Sequence, residues 1–241
     1  MRIYWDKMSY DLLWKRVCMA LAQRTAQILV TKTEALKNIK WTDGESNTDS
    51  GFSSLACQSC KEAWEDIKDM FPEYKDLYLK LETPDINISF SKGSEIITKG
   101  KIELKSGKGK GIIPGSTIGS LDINEPVIFC LRNESEETFD FRYHQYHSCI
   151  GETDRDMFQD RTPRPRVNFQ KMMDVGTSVE YNQKETGDWV EHYAKCALVR
   201  TKTQSKSWQD DLVKKIVNLF IKETSVDDFI KMKSCILGNP D

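Results

Sequence analysis

The period at which apolar residues recur changes from helical to alternating after Thr83, and that change limits the fold to helices packed on a sheet. Upstream, Leu12, Leu13, Val17, Ala20, Leu21, Ile28 and Leu29 follow helical spacing with Ser9 as a cap. One long amphipathic helix or two shorter ones are therefore predicted over 9–36. A second helical stretch is predicted from about 54 to 70, interrupted at Phe71-Pro72 and resuming to Leu81. Between the two, residues 41–54 are rich in Asp, Asn, Ser, Thr and Gly and have almost nothing to bury, which predicts a mobile loop.

Beyond Thr83 the period is 2. In Asp85-Ile-Asn-Ile-Ser-Phe90 the apolar Ile86, Ile88 and Phe90 point one way and Asp85, Asn87 and Ser89 the other. Ser91-Lys-Gly-Ser94 supplies a turn. Residues 96–105 then alternate again, with Ile102 and Leu104 on one face and Lys101, Glu103 and Lys105 on the other, so two antiparallel, half-buried strands are predicted. Pro126-Val-Ile-Phe-Cys-Leu131 is almost wholly apolar, as a central strand covered on both faces requires, and 138–144 reads as a further strand. Helices are predicted near 208–222 and 226–235. No internal repeat is present, so all 241 residues read as one α/β domain with a central mixed sheet and helices before and after it.

Composition narrows the class. No run approaches the roughly 18 consecutive apolar residues of a membrane span, and Met1 to Lys7 lacks the basic flank and apolar run of a secretory signal, which predicts a soluble, cytoplasmic chain. The seven cysteines are odd in number and lack framework spacing, so they read as reduced thiols. Cys57-Gln-Ser-Cys60 has the spacing of half a zinc site, but no second pair follows.

The chemistry concentrates in Pro84-Asp85 and Glu103-Leu104-Lys105. If the two strands pair through the 91–94 turn, the start of the first lies beside the end of the second, and Asp85, Glu103 and Lys105 share the polar face. Two hard carboxylates can hold Mg²⁺, or Mn²⁺ in its place, with the Leu104 carbonyl as a further ligand and positions left for water and a phosphate oxygen. Such an ion activates water and offsets charge at phosphorus. Lys105 would orient that water or neutralise the scissile phosphate, and together this is what phosphodiester hydrolysis needs. The same letters in Glu73-Tyr74-Lys75 are expected in a helical region, where positions two apart do not face each other.

Pro84-Asp85, seventeen intervening residues and Glu103-Leu104-Lys105 resemble the signature of the PD-(D/E)xK nuclease superfamily, to which the type II restriction endonucleases belong. The resemblance covers about 55–146. It implies a restriction-endonuclease-like core of order αβββαβ, with Asp85 and Glu103 on a metal and Lys105 as the third catalytic group. By class it implies a Mg²⁺-dependent endonuclease cutting double-stranded DNA, working as a homodimer. No ATP-binding P-loop of the form GxxxxGK[ST] is present. Residues 147–241 would then serve substrate contact or dimerisation.

Although 35 Lys+Arg nearly balance 37 Asp+Glu, the basic residues are clustered. Lys92, Lys99, Lys101, Lys105, Lys108 and Lys110 fall within twenty residues, the last two between glycines that let a backbone approach phosphate. Arg161, Arg164, Arg166 and Lys171 form a second, proline-stiffened cluster suited to phosphate or guanine, or else paired with the acidic residues just upstream. Arg142 and His144 lie in an aromatic stretch able to stack on bases, or equally to finish a strand edge. Glu62 and Glu65 are candidates for an upstream carboxylate, or ordinary exposed helix residues. Two other functions remain open: a nuclease of the same fold acting on structured, single-stranded or RNA substrates, and a nucleic-acid-binding module without hydrolysis.

Overall fold

The computed structural model describes residues 2–41, 50–116, 122–150 and 165–184, with side chains from 13 and 51 onward in the first two stretches. Residues 42–49 of the loop expected over 41–54, Arg161, Arg164 and both C-terminal helices lie outside these residues. Among the described residues, no helix is long and apolar enough to cross a membrane. The chain divides into two compact units. One comprises Met1–Ile113, Asp122–Ile150 and Val167–Gln183, and the other Pro114–Leu121, Gly151–Arg166 and Lys184–Asp241.

The first unit is an α/β structure. Helices α1 (Arg2–Val30), α2 (Thr33–Lys37) and α3 (Ser50–Ile67) precede strands β1 (Tyr78–Glu82), β2 (Ile86–Lys92) and β3 (Glu95–Lys108). After the short β4 (Ile112–Pro114) come β5 (Pro126–Asn133), β6 (Thr138–Gln145), a single turn α4 (Tyr146–Cys149), β7 (Arg166–Asn168) and β8 (Met173–Asp174). The main sheet is mixed, in the order β1-β2-β3-β5-β6-β8, and only the β3–β5 pair is parallel. β4 and β7 form a separate two-stranded sheet.

One face of the main sheet lies on α1 and α3. On α3, Phe52, Ala56, Cys60, Ala63, Trp64 and Ile67 form the buried stripe that an i, i+4 spacing dictates, and Trp14, Val17, Cys18, Leu21, Ala22 and Leu29 do so on α1. They bury Ile86, Ile88, Phe90, Ile102, Leu104, Ile128, Cys130, Phe141 and Tyr143 of the sheet, the inward set that the period of 2 predicts. Trp14 closes over β3 at Gly100: its Nε1 donates to the Lys99 carbonyl at 2.7 Å, and a Cβ on Gly100 would come within 2.7 Å of its ring. The opposite face is covered as well. Val127 and Phe129 of β5 are fully buried, and Phe129 meets Phe169 edge-on at 5.4 Å. β5 is thus the central strand its composition predicts.

Several expectations are corrected. Ser9, read as a cap, lies inside α1, which begins at Arg2, and residues 50–54, read as the end of a loop, belong to α3. Residues 78–81 were expected to continue a helix but form β1, because Leu79 and Leu81 alternate with Tyr78, Lys80 and Glu82 and the free edge of β2 offers a full ladder. Glu73-Tyr74-Lys75 lies in a turn rather than a helix. Tyr74 is buried against Trp14 and Phe90, and Lys75 pairs with Asp69 at 3.2 Å. The segment read as having almost nothing to bury begins with Trp41, whose ring packs on Phe52 and Phe139. The described cysteines, 18, 57, 60, 130 and 149, are all free thiols.

Candidate active site

β2 and β3 pair antiparallel with Ile86 opposite Ile102 and Asn87 opposite Lys101. One step further, beyond the end of the ladder, that register sets Asp85 opposite Glu103. Asp85 closes the turn between β1 and β2 with a left-handed backbone (φ 58°), a conformation Asp tolerates better than most residues because its short side chain can bond locally. The Asn87 amide donates to the Pro84 carbonyl at 2.6 Å and holds the turn. The turn aims Asp85 at β3, where its Oδ1 accepts the Leu104 N–H at 3.0 Å. A strand residue presents its N–H and C=O to the same side, so the Leu104 carbonyl also faces the strip of β3 that β2 leaves open.

Around this pair stand two lysines. Lys101 Nζ lies 3.1 Å from Asp85 Oδ2 and also pairs with Glu103 Oε2, while Lys105 pairs with Glu103 Oε1. Glu103 is only 3 % exposed, and the side chains of Asp85, Lys101 and Lys105 are 15 %, 26 % and 16 % exposed. Burial by itself would push the Glu103 carboxyl up, but the ammonium groups of Lys105 and Lys101 outweigh it and hold the acid well below the usual carboxylate range. Burial opposes the charge on Lys101 too, and the two carboxylates more than compensate, raising its pKa.

One ammonium already bridges Asp85 and Glu103, so the pair accommodates a cation, and its donors are the hard oxygens that Mg²⁺ prefers. Among the described residues, no third His, Cys, Asp or Glu completes a cluster with them, which leaves backbone oxygen and water for the remaining positions.

Sequence reasoning overlooked Glu125, just before β5. It lies two residues before Val127, the β5 residue paired with Glu103 in the parallel ladder, and near enough to Lys101 for that charge to act on its carboxyl. Desolvation, and then the charge of Asp122, push its pKa from an ordinary 4.5 up to about 7, although Lys101 and Lys15 pull it down. An acid whose folded value is raised holds its proton longer folded than unfolded, so the fold loses stability as pH climbs from about 4.5 through 7. Glu125→Gln is expected to abolish that loss, on the order of 3 kcal/mol in the pH 5 to pH 8 difference, in urea titrations at both pH values.

The other predicted contacts are dispersed. Lys110 is exposed at the turn beyond β3, and Lys171 is exposed at the end of a short 3₁₀ turn. Arg166 opens β7 and is half-buried. Lys108 falls on the sheet face opposite to Glu103 by alternation, and it pairs with Glu134 at 2.5 Å. Arg142 is in the cross-strand row of Lys105, but it caps the Phe169 ring at 4.6 Å and pairs with Asp174 at 3.1 Å. His144 shares the row of Glu103 and Val127. Its Nδ1 accepts the Gln145 N–H at 2.8 Å, which puts the neutral ring's proton on Nε2, and desolvation, with His147 nearby, lowers its pKa. Glu62 pairs with Lys32 at 2.7 Å and Glu65 with Lys68, so both are engaged on the outer face of α3. The α3 residue beside Asp85 is Cys57, whose Sγ lies 3.6 Å from the Asp85 carbonyl oxygen.

Comparison with protein-family models finds no match for this chain, and comparison with curated proteins finds none either.

Proposed function

We propose that the chain is a Mg²⁺-dependent endonuclease that hydrolyses phosphodiester bonds of double-stranded DNA, with the restriction-endonuclease-like core that its Pro84-Asp85 and Glu103-Leu104-Lys105 resemble. The observation that carries this reading is the Asp85–Glu103 pair, set opposite each other on neighbouring strands and bridged by one cationic group. The element order supports it as well. Helix α3 precedes three antiparallel strands, and β5 then runs parallel to β3, as in an αβββαβ core, although the described part of the crossover holds the short β4 instead of a helix.

In this reading Asp85, Glu103 and the Leu104 carbonyl hold the ion. When bound, Mg²⁺ lowers the pKa of a water and offsets charge on the scissile phosphate. The turn at Asp85 and the strand at Glu103 keep the two carboxylates aligned without substrate, which is the preorganisation that electrostatic catalysis depends on. Lys105, beside Glu103 Oε1, orients the attacking water by hydrogen bond and adds positive charge where the phosphate gathers negative charge. His144 Nε2–H and the exposed Lys110 and Lys171 are the described groups best suited to further phosphate or base contacts. A two-fold dimer would give one such site per strand of a palindrome.

The test is incubation with plasmid, linear duplex, single-stranded DNA and RNA in Mg²⁺ or EDTA. Discrete duplex fragments formed in Mg²⁺ and absent in EDTA are the expected result. Cleavage confined to RNA or single strands would replace the substrate assignment, and gel retardation without cleavage would replace hydrolysis by binding.

A further inference from the structure

The oxygens of Asp85 and Glu103 are fully divided among partners. Asp85 Oδ1 takes the Leu104 N–H and Glu103 Oε1 takes Lys105, whereas Asp85 Oδ2 and Glu103 Oε2 are both held by Lys101. A divalent ion joining the two carboxylates through these facing oxygens must therefore compete with the Lys101 ammonium. We propose that Lys101 is a resident counter-ion which keeps the Asp85–Glu103 pair assembled and yields its place to a divalent cation, its ammonium moving toward Glu125. This inference rests on the metal reading of that pair.

Physical chemistry gives the resident lysine a purpose. Two carboxylates facing each other in a mostly buried strip repel, and without a cation one of them would take up a proton and stop serving as a ligand. Lys101 removes that penalty, and its long stem lets the charge travel without moving β3. Glu125 is the natural receiver. It lies at the entry of the neighbouring strand β5, two residues before the partner of Glu103, is half-buried, and makes no ion pair among the described residues. The Lys101 charge nevertheless acts on its carboxyl. Lys105 is not equivalent, because it pairs with Glu103 Oε1 and not with the oxygens that Lys101 bridges, and can remain there.

Calorimetric titration of the full chain with MnCl₂ and MgCl₂ tests this. Lys101→Gln is expected to bind about tenfold more tightly than wild type, since the competitor is gone. Lys101→Arg, whose fork grips two carboxylates more firmly, is expected to bind more weakly than wild type and keeps the test valid should the glutamine variant fail to fold. Glu125→Gln is expected to weaken binding in the Lys101 background and to leave it unchanged beside Lys101→Gln. Thermal melting gives a second readout: Mn²⁺ should raise the melting temperature of Lys101→Gln more than that of wild type. If wild-type uptake depends on Asp85 but Lys101→Gln binds no more tightly, or Lys101→Arg no more weakly, the counter-ion role falls and the metal site stands. If Glu125→Gln acts equally in both backgrounds, the movement toward Glu125 falls. If neither wild type nor Lys101→Gln takes up a divalent ion, the metal reading falls and this inference with it.

Discussion

Lys105→Ala and Asp85→Asn are each expected to lower Mg²⁺-dependent DNA cleavage by at least about 10³-fold while leaving the protein folded. Asp85→Asn is the sharper of the two. Asn tolerates the left-handed backbone at φ 58° and can still accept the Leu104 N–H through its amide oxygen, so the turn survives and only the charge is lost. Lys105→Ala removes one partner of Glu103 but leaves Lys101 on the other oxygen, so the carboxylate keeps a counter-charge. Lys75→Ala is the control. Lys75 is exposed in a turn and its pair with Asp69 contributes little, so cleavage should remain at the wild-type rate. Timed plasmid digestion, with circular dichroism on the same samples, gives the comparison. Full activity in Asp85→Asn or Lys105→Ala, or a loss confined to Lys75→Ala, would dismiss the site.

The hairpin could be read from sequence because both strands alternate cleanly and a glycine turn links them. The turn alone would set Asp85 opposite Ile102; an irregularity between Phe90 and Ser91, which the sequence did not reveal, shifts the pairing by one residue and brings Asp85 opposite Glu103. The same alternation put Lys101 on the polar face beside Glu103. Its bridging role stayed hidden, since a motif draws attention to the lysine after the glutamate and not to the one before it. Glu125 carried no local signal at all, because the parallel β3–β5 pairing that brings the entry of β5 near Lys101 is set by tertiary packing. Arg142 and His144 were visible as polar residues of a strand, but their surroundings were not. Phe169 and Asp174, which occupy Arg142, come from a distant segment that follows α4. The polar face of the hairpin was expected to be only half-buried, yet Glu103 is almost fully enclosed where the sheet's second face is covered.

That enclosure determines the largest effect expected on stability. Glu103→Ala should destabilise the fold by about 3 kcal/mol, because it leaves Lys105 without its partner, sets two ammonium groups against each other and opens space in a packed region. Glu103→Gln keeps the shape and one acceptor oxygen, and should cost about half as much. Urea unfolding at neutral pH distinguishes them. The pH dependence identifies the cause: an acid held below its ordinary 4.5 contributes stability that is complete above that value and disappears as pH falls toward the lower folded value. The gap between wild type and either variant should therefore be full at pH 6 and narrow as the solution is acidified below about 4.5. A glutamine variant as stable as wild type, or a gap that persists into acid, would show that packing and not charge holds Glu103 in place. Lost cleavage in the alanine variant would mix lost chemistry with lost fold, and only the glutamine variant, stable enough to assay, reports on catalysis by this carboxylate.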